Sequence, residues 1–286
     1  MPLLPPITPA PTHLPREFSF TPRDFERVRQ IIYRHAGIVL NDSKYDMVYG
    51  RLVRRLRANQ LASFDAYLVL LEKDPKEFES FINALTTNLT SFFRETHHFP
   101  VLADFLKNHR PAAGQTLTVW CAASSTGEEP YSIAMTAMEA FESYNPPVRV
   151  IASDIDTTVL AVASEGMYDA DKVDKLSAAQ RQRFFVPQPD GRFQARAELR
   201  NLITFRRVNL MDTTWPLRAP IDVIFCRNVM IYFDRETQLK ILRRFAPLLR
   251  PDGLLFVGHS ENFYHASDLF TLKGKTVYEP VKKGAG

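Results

Sequence analysis

Apolar residues recur along this chain with two periods, and the switch between them marks its organisation. Thr21-Pro22-Arg23-Asp24 caps a run in which Phe25, Val28 and Ile32 share one helical face before Gly37 stops it. A second helix over Lys44 to Asn59 sets Val48, Leu52 and Leu56 on one side and Arg51, Arg54 and Arg55 on the other. Ser63 and Asp74-Pro75 open two more, Phe64 to Leu71 and Pro75 to about Thr86. Residues 16–87 thus read as an all-helical N-terminal domain, and residues 88–286 as a separate domain of a different class.

Beyond a helix from His97 to His109, short apolar runs alternate with helical stretches, the rhythm of a parallel sheet with helical crossovers. The runs are Leu117 to Trp120, Val148 to Ala152, Leu202 to Val208, Ile221 to Cys226 and Leu254 to Gly258. Between them, helices are expected from Pro130 to Phe141, Thr157 to Ser164, and Arg235 to Leu249, the last ended by Arg250-Pro251-Asp252-Gly253. The rhythm breaks at residues 166–201. Ser177 to Phe185 reads as a helix, and FFVPQPDGRFQARAEL as two short strands about Pro189-Asp190-Gly191, a small antiparallel β subdomain at about 183–201. Phe270 to Leu272 and Thr276 to Tyr278 close the chain as an antiparallel hairpin. The predicted class is α/β, Rossmann-like and mostly parallel, with a helical domain in front.

Composition narrows the setting. At 45% hydrophobic and 24% charged, the chain is ordinary for a globular protein with a full core. Residues 1–15 are proline-rich and read as a disordered or extended arm; the prolines exclude a signal peptide, and no apolar run is long enough to span a bilayer. Cytoplasmic residence and no membrane insertion are expected. A net charge of +4 is too mild to indicate nucleic acid. Cys121 and Cys226 each end an apolar run without further ligands nearby, so they read as reduced packing residues, and no metal is expected.

The candidate chemistry sits where strands finish. LTVWCAASSTGEEPYS, Leu117 to Ser132, passes from a buried strand through small residues into a helix, a turn that lets backbone N–H groups approach a ligand. A single glycine there makes a dinucleotide pyrophosphate a poor fit. Glu129 lies beyond the first strand, Asp154 and Asp156 after the second, Asn209 and Leu210 after the third, and Arg227 and Asn228 after the fourth; His259, Ser260 and Glu261 face the same edge after the fifth. Open parallel sheets bind ligands at that edge, and an acid at the second strand tip accepts hydrogen bonds from ribose hydroxyls. Asp154 has the spacing for this, while Asp156 serves equally as a helix cap. Upstream, NLTSFFRE interleaves Asn88, Thr90 and Arg94 with Leu89, Phe92 and Phe93, as if one wall met a core and the other a cavity. A terminal hairpin and a glycine-poor turn favour S-adenosylmethionine over NAD.

Taken in order, NLTSFFRE, AASSTGEEPYSIA, ASDID, VNL and FCRNVMIYF resemble the CheR family of chemoreceptor glutamate methyltransferases, from the N-terminal helices to the closing hairpin. The resemblance implies a class I methyltransferase domain, S-adenosyl-L-methionine as donor with S-adenosyl-L-homocysteine as product, and γ-carboxylates of glutamates in chemoreceptor cytoplasmic helices as acceptors. It implies cofactor contacts from Asn88, Thr90, Arg94, Glu129, Asp154, Asn209, Leu210, Arg227 and Asn228, and a substrate-side pair of Arg94 and Tyr232. A glutamate with an ordinary pKa of about 4.3 is already an anion at neutral pH, so such an enzyme needs no general base. Its task is to orient the carboxylate, which suits an arginine and a tyrosine.

The compact VPQPDGRF turn departs from relatives whose longer glycine-bearing loop holds a receptor's C-terminal tether. That speaks against tether binding and for direct recognition at the methylation helices, with Arg51, Arg54 and Arg55 as candidate contacts on a positive face free of core duties. A monomer is expected. Two competing readings are a methyltransferase of another acceptor, such as nucleic acid or a small molecule, and a catalytically silent cofactor-binding regulator. RNVMIY stands where a base methyltransferase would carry an N-P-P-Y-like motif, and the presence of Arg94, Asp154, Asn228 and Tyr232 argues against silence.

Overall fold

The computed structural model describes residues 16–282, so the arm expected over residues 1–15 lies outside the described residues. Four helices come first: α1 (Pro22–Ala36), α2 (Tyr45–Ala58), α3 (Phe64–Leu71) and α4 (Pro75–Leu85). Their ends follow from local chemistry. Thr21 and Asp24 form a reciprocal capping box at the start of α1, Gly37 ends it at φ 70°, and the Asp74 carboxylate accepts the Lys76 and Glu77 N–H groups to start α4. Phe25, Val28, Ile32, Val48, Leu52, Leu56, Tyr67 and Phe81 close into one buried cluster.

The free positive face expected on α2 is not what the packing leaves. Arg55 donates to Glu77 Oε1 at 2.9 Å, and Tyr67 donates to the same oxygen at 2.8 Å, so a buried acid on α4 takes up its charge. Arg51 donates to the carbonyl of Thr86 at 2.6 Å, satisfying the end of α4, where unpaired carbonyls attract a cation. Only Arg54 of the three remains exposed. Spacing placed these arginines off the apolar stripe, but α4 comes to lie beside them.

The second part runs α5 (His98–Asn108), β1 (Leu117–Cys121), α6 (Glu128–Ala140), β2 (Val148–Asp154) and α7 (Thr157–Glu165). It then makes a small antiparallel sheet from β3 (Met167–Tyr168), β4 (Phe185–Pro187) and β5 (Phe193–Ala195), with short helices α8 (Ala170–Val173), α9 (Ala178–Phe184) and α10 (Ala197–Asn201). The two-residue β3, too short to leave a pattern, lies ahead of the excursion expected at 183–201. The main sheet resumes with β6 (Ile203–Arg207), β7 (Ile221–Phe225), α11 (Arg235–Leu248), β8 (Leu249–Phe256), β9 (Phe270–Gly274) and β10 (Val277–Pro280).

Seven strands form the main sheet in the order β6-β2-β1-β7-β8-β10-β9. The first five are parallel, and β10 runs antiparallel between β8 and β9. This is the class I methyltransferase arrangement. One face packs on α5 and α6 through Phe99, Leu102, Tyr131 and Met135, and the other on α11 through Trp120, Ile241 and Phe245. Strand β8 begins directly at Leu249, where a break was expected over Arg250 to Gly253. Ile221 pairs with Leu249 but Val223 with Leu254, so the intervening residues bulge out, held by Arg250 Nη1 on Asp222 Oδ1 at 2.8 Å.

The helical bundle sits on the carboxyl edge of this sheet. Asn209 Nδ2 donates to His35 O at 2.7 Å, Val39 N to Tyr232 O at 2.8 Å, and Thr86 Oγ1 to Asp156 Oδ2 at 2.8 Å. Those bonds roof the strand tips with α1, the loop after it and the end of α4.

Candidate active site

Beneath that roof lies a cleft of about 400 Å³, within the range of about 300–1,000 Å³ common for small-molecule sites. Its floor is the turn after β1. Ser125 and Gly127 take positive φ values of 48° and 100°. A Cβ on Gly127 would sit 2.6 Å from Tyr168 Oη and 2.9 Å from Ala163 Cβ, so the position requires glycine for space as well as conformation. Helix α6 begins at Glu128, two residues before the expected Pro130. The proline still falls among the first four residues, whose N–H groups have no helical partner.

The two acids after β2 separate into two jobs. Asp156 caps α7 by accepting the Thr158 N–H at 2.9 Å, and its other oxygen accepts from Asn88 Nδ2 at 2.8 Å. Asp154 lines the cleft, and its carboxylate accepts the N–H groups of Ser125 at 2.8 Å and Asp156 at 3.0 Å. Burial pushes its carboxyl up to about 6 despite those bonds.

The NLTSFFRE segment crosses the mouth. Asn88, Thr90 and Arg94 all line the cleft, Ser125 Oγ donates to Asn88 O at 2.9 Å, and Arg94 Nη1 donates to Leu89 O at 2.8 Å. Phe92 enters the core, but Leu89 is 81% exposed. The expected apolar wall holds at Phe92 and Phe93, which pack on the core, and fails at Leu89, which lines the cleft instead.

Arg227, at the tip of β7, is buried between two acids. Its Nη1 lies 2.6 Å from Glu129 Oε2 and its Nη2 lies 3.2 Å from Glu95 Oε2. Nη2 also donates to the Arg94 carbonyl. Burial disfavours the Glu95 anion, yet hydrogen bonds from His259 and the Arg227 charge overcome this and hold its carboxyl at about 2. The cluster thereby ties the segment at the mouth to the tips of β1, β7 and β8. Glu95, His97 and His98 each bring one ligand atom within 4.8 Å of the others, but Arg227 already neutralises the carboxylate.

The candidate cofactor and acceptor residues meet in this one cleft: Asn88, Thr90, Arg94, Glu129, Asp154, Asn209, Leu210, Arg227, Asn228 and Tyr232; the candidate receptor contacts Arg54 and Arg55 do not line it. Arg51 also reaches its lining, along with Ala36, Val39, Lys44 and Met47 from the helical part, none of which was expected here. Asn209 is largely committed to structure, since Oδ1 accepts the Met211 N–H at 2.9 Å while Nδ2 holds His35. Sequence reasoning missed the organising roles of Glu95 and Glu261. Glu95 stood inside a quoted motif and Glu261 among the residues after the fifth strand, but no local pattern shows which basic or backbone groups a carboxylate will meet.

Cys121 and Cys226 are free and buried, and burial pushes both thiols well above their usual range, as suits packing residues. No helix among the described residues is long and apolar enough to cross a membrane. The donor set suits a nucleoside bearing an amino acid: an acid at the second strand tip, walls of Val39, Leu210 and Phe233, and, on the cleft-lining Arg227, a buried Nε without a partner.

Comparison with known proteins agrees. Residues 88–278 match the family described as CheR methyltransferase, SAM binding domain, and residues 23–86 match CheR methyltransferase, all-alpha domain. Chemotaxis protein methyltransferase 2 of Pseudomonas aeruginosa is 50% identical over 285 residues, 97% of this chain and 100% of that one. The chemotaxis protein methyltransferase of Escherichia coli is 52% identical over 259 residues, 89% of each chain, and that of Salmonella typhimurium 52% over 266 residues, 91% of each. With both family domains matched in sequence order across nearly all of its length, and the strand-tip cleft formed between them, this chain belongs to the CheR family of S-adenosylmethionine-dependent methyltransferases.

Proposed function

We propose that this enzyme methylates the γ-carboxylates of glutamates in the cytoplasmic helices of chemoreceptors, forming methyl esters in the cytoplasm. The observation that carries the reading is the make-up of the cleft. No histidine lines it among the described residues, and of its two acids Glu129 is paired with Arg227 while Asp154 holds two backbone N–H groups. An amine or hydroxyl acceptor needs a base to take its proton, whereas a glutamate carboxylate arrives as an anion. Bound cofactor supplies an electrophilic methyl group on a sulfonium; the carboxylate oxygen gains that methyl and the sulfonium becomes a neutral thioether.

The chain's residues then do the positioning. Arg94, with one N–H spent on Leu89 O, presents its remaining donors to the acceptor carboxylate, and Tyr232 orients the other oxygen. Asp154 takes the ribose hydroxyls. Glu129 and Arg227 hold the amino-acid end as a pair, with Asn88, Thr90 and Asn228 contributing polar contacts. Leu210 forms a wall beside Asn209, whose one free amide proton faces the cofactor. Leu89, 81% exposed on the cleft's lining, and Ile231, 51% exposed and next to Tyr232 in the chain, offer apolar contact to an amphipathic acceptor helix.

Incubation with methyl-labelled donor and a receptor cytoplasmic fragment tests the reaction. Base-labile label released as methanol, and lost when the acceptor glutamates are replaced, is the expected result. Label stable to base, or carried by nucleic acid, would sink it.

Cofactor binding should also depend on pH. Because the Asp154 carboxyl sits at about 6, above its unfolded value of about 3.9, the free protein protonates it as pH falls through 6. Ribose hydroxyls favour the anion, so binding expels that proton. Affinity for S-adenosylhomocysteine is expected to be flat above pH 7 and to weaken by up to about tenfold per pH unit below 6. Titration calorimetry in two buffers of different ionisation enthalpy measures the released proton; none at pH 6 would remove Asp154 from the ribose.

A further inference from the structure

The turn carrying Tyr232 is gripped by two residues outside the cleft's own motifs, one holding its N–H groups and the other its carbonyls. Glu261, 5% exposed, points its carboxylate at backbone N–H groups: Oε2 accepts from Asn228 at 3.0 Å and from Gly258, and Oε1 accepts from Ile231 at 3.3 Å. The carbonyls of the same turn are held as well: Gln238 Nε2 on α11 donates to Met230 O at 2.9 Å and to Phe233 O at 3.1 Å. Asn228 is left-handed at φ 58°, a conformation that costs energy for a residue with a Cβ and persists only where surroundings enforce it. Room for this arrangement exists because residue 258 is glycine. A Cβ there would lie 2.3 Å from Asn228 Nδ2 and 2.9 Å from Glu261 Oε2.

We infer that Glu261 is a positioning residue for methyl transfer: with Gln238 it clamps the Asn228–Phe233 turn and so fixes where Tyr232 presents its hydroxyl. The inference rests on the reading of Tyr232 as the group that orients the acceptor carboxylate. A carboxylate is the group such a place requires, since both of its oxygens face donors. In Glu261→Gln the amide oxygen keeps the site where Asn228 and Gly258 both donate, and the amide nitrogen falls against the Ile231 N–H. The cofactor side of the turn stays held while the Tyr232 side is released.

Three readouts on the full-length protein test this. Hydrogen exchange of the Ile231 amide should accelerate at least about tenfold in E261Q while that of Asn228 holds, because only the Ile231 acceptor is lost. Turnover per cofactor-binding site, counted by titration with S-adenosylhomocysteine, should fall about tenfold or more, since small misplacement of an orienting group is costly; the cofactor Kd should stay within about threefold. A purely structural defect would instead lower the number of binding sites and leave turnover per site unchanged. On a Y232F background E261Q should cost little more, as the two act through one group. Gln238→Ala, which releases the carbonyls of Met230 and Phe233 in the same turn, should reproduce the turnover defect and serves if E261Q fails to fold. Unaltered Ile231 exchange, or an E261Q loss that adds in full to Y232F, overturns the inference. Failure of the wild type to methylate receptor glutamates would sink the proposed reaction, and the exchange measurement would still decide the clamp.

Discussion

Arg227→Ala is expected to destabilise the protein by about 3–5 kcal/mol, the cost of removing one partner from a buried ion cluster. The side chain has no exposed surface and lies between Glu95 and Glu129, each with a side-chain exposure of only 10%. Without the guanidinium two carboxylates face each other in a poorly solvated space. Glu95 keeps its hydrogen bonds from His259 and Asn228, but both acids lose their buried counter-charge, and ionising without it or taking up protons costs folding energy at neutral pH. The sign of the pH dependence follows. The Arg227 charge helps to hold the Glu95 carboxyl at about 2, and without it burial pushes that carboxyl up, so the deficit should be largest at pH 7 and shrink as the pH falls toward 5. Denaturant melts of wild type and variant at the two pH values measure this. A loss below about 1 kcal/mol at pH 7 would mean that water reaches the cluster and screens it. Because the same guanidinium ties the mouth segment to the sheet, cofactor affinity should fall with stability.

Arg94→Ala is expected to lower kcat/KM for methyl transfer by about 10²–10³-fold, the usual effect of deleting one positioned donor from a site that works by orientation. It should do so with little change in melting temperature. Unlike Arg227, Arg94 has no acid partner among the described residues, and its Nη1 bond to Leu89 O is a local one within an exposed segment. Arg94→Lys keeps the charge but loses the planar pair of donors, so it should recover only part of the loss. Steady-state kinetics with saturating cofactor separates acceptor orientation from cofactor binding. Retention of more than about a tenth of wild-type activity in Arg94→Ala would assign the acceptor grip to another residue.

Much of this site could be read in the chain because strand tips bring distant motifs together by rule. Once five apolar runs are taken as parallel strands, the residues that follow each of them share an edge. Asp154, Arg227 and Asn228 were legible for that reason. Spacing favoured Asp154 for the ribose and left Asp156 as a candidate helix cap; the cap that Asp156 makes on α7, with its bonds from Asn88 and Thr86, separates the two jobs. Arg51, Arg54 and Arg55 show the opposite limit. Helical spacing says which side of α2 they occupy, and says nothing about Glu77 arriving on α4 to take Arg55.

What the sequence by itself determined is local and periodic: where helices start and stop, which runs are strands, and which polar residues follow them. Those features depend on capping, steric preference and the side on which apolar atoms fall, all settled within a few residues. Tertiary structure alone decided the rest. It set β10 between β8 and β9, laid the helical part over the strand tips so that Val39 and Met47 enter the cleft, and buried Arg227 between Glu95 and Glu129. Such pairings join residues far apart in the chain, where geometry and desolvation act across the whole fold and leave no trace in the neighbours of any one residue.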